Sequence, residues 1–196
     1  METTAKTVNL KTEALKNGAI WGAINIVLFL VTWYAMPTLM SSYWYAGIGA
    51  VIGILLAVFF CLDLRKKAGG YWSFSEALWL IVGMFLMNMA LVFLFTIAFG
   101  KFIDPTYPVK MKEYAMESTA KMMESMGMDD AALQETMSKT EEKLDKQFNP
   151  TFGQAVFQFG LAAIFYFIFA LIFAAIFKKN NPNPWVDQAE ENTQEV

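Results

Sequence analysis

Residues 77–100 carry no Asp, Glu, Lys or Arg. An uncharged apolar run of that length reads as a membrane span, since about 20 residues rising 1.5 Å each cross a hydrocarbon core of about 30 Å. Residues 18–36, 44–62 and 151–177 repeat the pattern. The 196-residue chain is 56 % hydrophobic, above the roughly 45–50 % of a soluble domain, and the excess lies in these four runs. The expected fold is an all-α membrane protein: four transmembrane helices (18–36, 44–62, 75–100 and 151–177) with an extramembrane helical hairpin, 101–150, between the third and fourth. Residues 1–17 form a polar N-terminal segment, and the tail, 178–196, reads as disordered.

The most informative polar stretch is the bridge Arg65-Lys66-Lys67-Ala68-Gly69-Gly70-Tyr71-Trp72-Ser73-Phe74-Ser75-Glu76-Ala77. Lys and Arg beside spans are retained on the cytoplasmic side. Gly69-Gly70 ends the preceding helix, Tyr71 and Trp72 suit the headgroup level, and Ser73 with Glu76 spells a capping box. The plain reading of Glu76 is a cap. Trp33, Tyr34, Tyr43, Trp44 and Tyr45 read as an aromatic belt at the opposite interface.

Four spans put both termini on one side. Lys6, Lys11, Lys16, Arg65, Lys66, Lys67, Lys178 and Lys179 lie on that side, and the other seven cations lie in 101–150. Raw counts therefore barely discriminate. Density beside the membrane does: 65–67 and 178–179 abut span ends directly, and only Lys101 does so opposite. The termini are expected in the cytoplasm. Leu10 to Lys16 reads as a short interfacial helix before the first span. The third span can extend about 37 Å, so it tilts or projects. The fourth is expected to start after Asn149, with Pro150 as its first helical residue.

Within 101–150, Asp104-Pro105 and Pro108 break the third helix. A helix is expected from Pro108 to Met126, stopped by Gly127, and a second from an Asp129 or Asp130 cap to about Phe148. Glu117–Lys121, Glu135–Lys139 and Glu142–Lys146 stand at i, i+4 in the favourable order. Val109, Met116, Ala120 and Met123 share one predicted face, and Leu133, Met137, Leu144 and Phe148 the other. The hairpin, 108–148, has too little apolar surface to stand alone. It is expected to pack on itself, a partner or the membrane surface, and to be separable from the spans.

Histidine is absent and Cys61 is the single cysteine, which excludes His-based triads, His metal ligands and an internal disulfide. A net charge of -3 gives no footprint for nucleic acid. Met122, Met123 and Met126 have the spacing of a Cu(I) thioether set, but methionine more often fills helix contacts. Gly49, Gly53 and Ala57 in the second span, Gly18 and Gly22 in the first, Gly83 with Ala90 and Gly160 with Ala163 permit close helix approach. The expected use is packing within the chain, and the second use is homo-oligomerisation through Gly49, Gly53 and Ala57. The span centres lack ionisable groups, which argues against proton-coupled pumping. Asn25 and Asn88 are expected to hydrogen-bond across helices, and Asp63 and Glu76 to pair with bridge cations.

The bridge, read as basic-x-Gly-Gly-x-x-Ser-Phe-x-Glu-Ala, resembles a bacterial family of four-span membrane proteins, domain of unknown function 4199. So do Leu15-Lys16-Asn17-Gly18 entering the first span, Phe102-Ile103-Asp104-Pro105 after the third, Gly127-Met128, Asn149-Pro150, and Lys178-Lys179. The resemblance covers about residues 10–182. It implies a bacterial inner-membrane location and carries no activity, substrate, cofactor or catalytic residue.

No nucleophile, base and oxyanion donors assemble. The chain is expected not to be an enzyme, with no catalytic, cofactor-binding or metal residue. The first reading is an interaction or scaffold protein presenting the hairpin to a protein partner. The alternative is a small oligomeric transport or pore component, which needs polar residues along one helix face. Asn88, Thr96, Gln154 and Gln158 offer few.

Overall fold

The computed structural model describes residues 9–127, 129–148 and 150–182. Its helices are α1 (Leu10–Ala35), α2 (Tyr43–Lys67), α3 (Phe74–Ala98), α4 (Tyr107–Ser125), α5 (Asp130–Phe148) and α6 (Phe152–Phe177). A 3-10 turn, Pro37–Ser41, joins α1 to α2, and a π-helical turn, Phe99–Ile103, extends α3. Among the described residues four helices are long and apolar enough to cross a membrane: Leu10–Ala35, Tyr43–Lys67, Phe74–Ile103 and Phe152–Phe177. The chain is an all-α membrane protein, and α4 and α5 form the hairpin. Residues 1–8, 183–196, Met128 and Asn149, on which several sequence expectations fell, lie outside the described residues.

One start signal and one stop signal are where the sequence put them, and two start signals are not. Ser73 and Glu76 form a complete capping box on α3. Gly69 and Gly70 take φ of 84° and 87°, and their N–H groups donate to the carbonyls of Lys66 and Arg65, closing the α2 C-terminus as left-handed caps do. The interfacial helix before the first span does not exist as a separate element. Asn9 caps at Thr12 and α1 runs unbroken through Asn17-Gly18. Tertiary contact overrides that weak pair, because buried Asn17 donates to Asp63 and Gly18 lies against α3. Pro150 is not the first residue of α6. Thr151 caps that helix in a second capping box with Gln154.

The bundle is organised on α3. α1 lies parallel beside it, and Gly18 is the reason the two approach so closely. A Cβ at Gly18 would strike the Met84 carbonyl and lie 2.8 Å from Met87 Cβ, and one at Gly22 would meet Leu91 at 3.1 Å. Asn25 continues the stripe, and its Nδ2 donates to Asn88 Oδ1 at 2.9 Å, the expected interhelical bond. The other small-residue stripes are not used this way. Nothing lies within 4 Å of a Cβ placed at Gly49, Gly53, Gly83 or Gly160, which corrects the expectation of packing within the chain at those positions. Ala57 is buried inside the chain, so it is not on the face that Gly49 and Gly53 leave open. α2 joins the core through its second half, where Ala57, Phe60, Cys61 and Leu64 are buried and Leu56 and Val58 pack beside them. Its first half is bare apolar surface.

The loop end of the bundle is clipped. Trp72 is buried, its indole N–H donates to the Phe177 carbonyl at 2.7 Å, and its backbone exchanges two hydrogen bonds with Lys179. It caps the C-terminus of α6 and is not a headgroup anchor as the sequence suggested. Only Tyr71 remains at the surface, with the Lys179 ammonium 5.0 Å from its ring centroid. Below the clip, Lys67 bridges Asp63 at 2.7 Å and Glu13 at 2.9 Å, and Lys16 also pairs with Glu13. The expected pairing of Asp63 with a bridge cation is present. Glu76 pairs with none, because its carboxylate serves the Ser73 cap.

Candidate functional site

The opposite end carries the most elaborate polar and aromatic constellation, built where α3 gives way to α4. The wide turn Phe99–Ile103 closes with the Asp104 N–H on the Phe99 carbonyl at 2.8 Å. Asp104 Oδ1 then accepts from the Thr106 N–H at 3.0 Å and the Thr106 hydroxyl at 2.6 Å, a side-chain turn that starts α4. Asp104 Oδ2 accepts from the Trp33 indole at 3.0 Å. The Thr106 hydroxyl first, then the Trp33 indole, hold the Asp104 carboxyl below its ordinary range, because each bond favours the charged form.

Tyr107 is wedged beneath this turn. Its ring lies 5.1 Å from Trp33, 5.5 Å from Phe29, 5.6 Å from Phe99 and 6.3 Å from Phe148, all edge-on. Edge-to-face pairs of this kind contribute about 0.5–1.5 kcal/mol each beyond their burial. Burial pushes the Tyr107 phenol up to about 12. Met111 joins the same cluster, and the Lys110 ammonium lies 5.8 Å from the Trp33 ring centroid. Trp33 is therefore not part of an interfacial belt. Tyr34, Tyr43 and Trp44 are exposed there as expected.

The hairpin above this seat is held in three further places. Lys112 bridges from α4 to Glu141 at 3.0 Å and Asp145 at 2.8 Å on α5. The Ser118 hydroxyl donates to the Ser41 carbonyl and the Tyr43 hydroxyl to Met122 Sδ, tying α4 to the α1–α2 turn. Gln158 donates to the Lys146 carbonyl, tying α5 to α6. A polar cleft of about 330 Å³ between α4 and the α1–α2 turn is lined by Thr38, Ser41, Ser42, Tyr114, Glu117, Ser118 and Lys121. The three Glu–Lys pairs form at 2.6 Å each on exposed faces, where each adds only a few tenths of a kcal/mol.

The predicted inner face of α4 holds at Met123, with Met116 and Ala120 half-buried, and fails at its first turn. Val109 is exposed, and Tyr107, Pro108, Met111 and Met123 are the buried residues. At the first turn the contact with Trp33 and Phe99 buries Tyr107 and Met111, and Val109, on the far side of the helix from Met111, is left exposed. The methionine triplet does not converge. Met122 turns its sulfur to Tyr43, Met123 is buried and Met126 is exposed. Trp33–Asp104 and Trp72–Phe177 escaped the sequence reading, and the one available signal was Asp104 before Pro105-Thr106, an Asx-turn pattern.

The family model described as Protein of unknown function (DUF4199) matches residues 16–179. The chain belongs to this family. In this DUF4199 member the matched stretch begins in the Lys16–Glu13–Lys67 network and closes at the Lys179 clip, so it contains both fastened ends of the bundle. No curated protein and no solved structure matches it.

Proposed function

We propose that this protein is a non-enzymatic interaction or scaffold protein of the bacterial inner membrane, with its termini in the cytoplasm and its hairpin presented to the periplasm. The observation that carries the reading is the seat of the hairpin. Tyr107, locked among Phe29, Trp33, Phe99 and Phe148, and Asp104, holding the Trp33 indole, fasten α4 to the ends of α1 and α3 through a second apolar cluster. A hairpin held this way keeps one orientation toward whatever it meets, which lowers the ordering cost of binding. Exposed Val109 and Met126 offer apolar contact on its outer surface. The cation density at 65–67 and 178–179 supports the orientation.

The polar residues that a pore would need are engaged in structure, which favours the scaffold reading over transport. Asn88 bonds Asn25, the Thr96 hydroxyl bonds the Val92 carbonyl, Gln154 caps α6 and Gln158 reaches Lys146.

The test uses a cysteine at Ser125 in a Cys61→Ser background and a photocrosslinking residue at Val109 or Met126. An impermeant thiol reagent should label intact cells, and the crosslinker should give one discrete adduct above the chain's own mass. Protection from the reagent until lysis would overturn the orientation, and absence of any adduct at both positions would overturn the interaction reading.

A further inference from the structure

We infer that the groove between the starts of α1 and α3 is a binding site for one glycerophospholipid whose headgroup carries both a phosphate and a primary ammonium. The groove encloses about 510 Å³ and is lined by Leu10, Lys11, Ala14, Leu15, Ser75, Glu76, Trp79, Leu80 and Gly83.

Three observations define the occupant. The first is depth. The stagger that sets Gly18 against Met84 also sets Leu10 abreast of Glu76, at the level of the Tyr71-Trp72 loop. From Glu76 the groove runs to Gly83, about 10 Å further along α3, so it opens at headgroup level and continues into the acyl layer. The second is the floor. Nothing lies within 4 Å of a Cβ at Gly83, while Ala14 and Leu80 are buried behind it and Trp79 is exposed at its edge. Those are walls for an acyl chain, with an indole at the interface where indoles are favoured.

The third is charge. Lys11 makes no ion pair among the described residues, and Glu76 gives Oε2 to the Ser73 N–H while Oε1 stays open. The mouth thus presents one cation and one anion that do not neutralise each other. A phosphate accepts from Lys11 and a primary ammonium donates to Glu76, both as charge-assisted hydrogen bonds. A choline headgroup has no N–H to donate, and a glycerol headgroup offers Glu76 neutral hydroxyls but no positive charge, so its bond there is the weaker one.

The experiment is native mass spectrometry of the full chain released from membranes into equimolar phosphatidylethanolamine, phosphatidylglycerol and phosphatidylcholine. The wild type should retain one phosphatidylethanolamine in preference to the others. Lys11→Gln should lower that retention about tenfold, the loss of one charge-assisted bond. Glu76→Gln keeps a capping-box residue and should keep thermal stability while shifting preference to phosphatidylglycerol. Gly83→Leu should fill the groove and abolish retention, and if it does not accumulate the two charge variants decide. Equal retention of the three lipids by the wild type, preference for phosphatidylglycerol, or a Glu76→Gln variant with unaltered selectivity would overturn the site.

Discussion

α1 and α2 carry the same small-residue motif and use it in opposite ways. Gly18 and Gly22 disappear against Met84, Met87 and Leu91 of α3, whereas Gly49 and Gly53 face open space. The difference is not in the glycines. Asn25 follows Gly22 on the same face and finds Asn88, so a polar bond fixes the register that the glycines then permit. Along α2 the corresponding face holds only apolar residues until Asp63, and that is the end where α2 rejoins the bundle through Lys67, Asn17 and Glu13. In lipid, apolar surface by itself gives helices no drive to associate. Between α1 and α3 the close approach coincides with a polar bond, whereas α3 and α6 pack through Ala170, Ala174 and the Phe85, Tyr166 and Phe173 rings.

Four substitutions break or sharpen this contrast. Gly18→Leu should be the most damaging, because its new atoms meet backbone that cannot yield. Overpacking of this kind costs about 1–3 kcal/mol and often more, and thermal unfolding in detergent should show a marked fall or no accumulated protein. Asn88→Leu should cost about 0.6–1.7 kcal/mol, the range for polar contacts between membrane helices. Asn25→Leu combined with it should restore part of the loss, and strict additivity of the two would mean that the bond does not set the register.

The hairpin seat supplies a pH-dependent control. Asp104 is held below its ordinary value, so its stabilisation is full above the unfolded carboxyl value of about 3.9 and is lost as pH falls through the lower folded value. The protection of α4 amides, taken relative to the free chain at each pH, should stay flat from neutral pH down to that region and fall only below it. Asp104→Asn should remove this acid limb while α1 and α3 stay protected. Gly53→Leu should have the smallest effect, within about 0.5 kcal/mol. If a second copy covers that face, the variant keeps its stability but loses its crosslinked dimer. Unchanged stability with an unchanged crosslinking pattern leaves Gly53 facing lipid only.

The spans, the hairpin and the Ser73–Glu76 cap were legible because each depends on neighbours within a few residues. Two of the buried tryptophans were not. Trp33 and Trp72 sit at span ends, where an indole ordinarily marks the interface, and their fate is decided by Asp104 and by the Phe177 carbonyl, 71 and 105 residues away. Periodicity carries no record of such partners. The seat of the hairpin was hidden for the same reason: Phe148 falls on the hairpin's own predicted face, whereas it packs, with Tyr107 and Met111, in a cluster shared with Phe29 and Phe99.

The clip between Trp72 and Lys179 bears on biosynthesis. Residue 72 leaves the ribosome long before residue 179, so three spans are inserted while the Trp72 indole and backbone still lack their partners. The growing chain holds an open bundle until the fourth span arrives and residues 177–179 dock onto the waiting loop. A nascent chain stalled just before that point has every span it needs and remains unlatched.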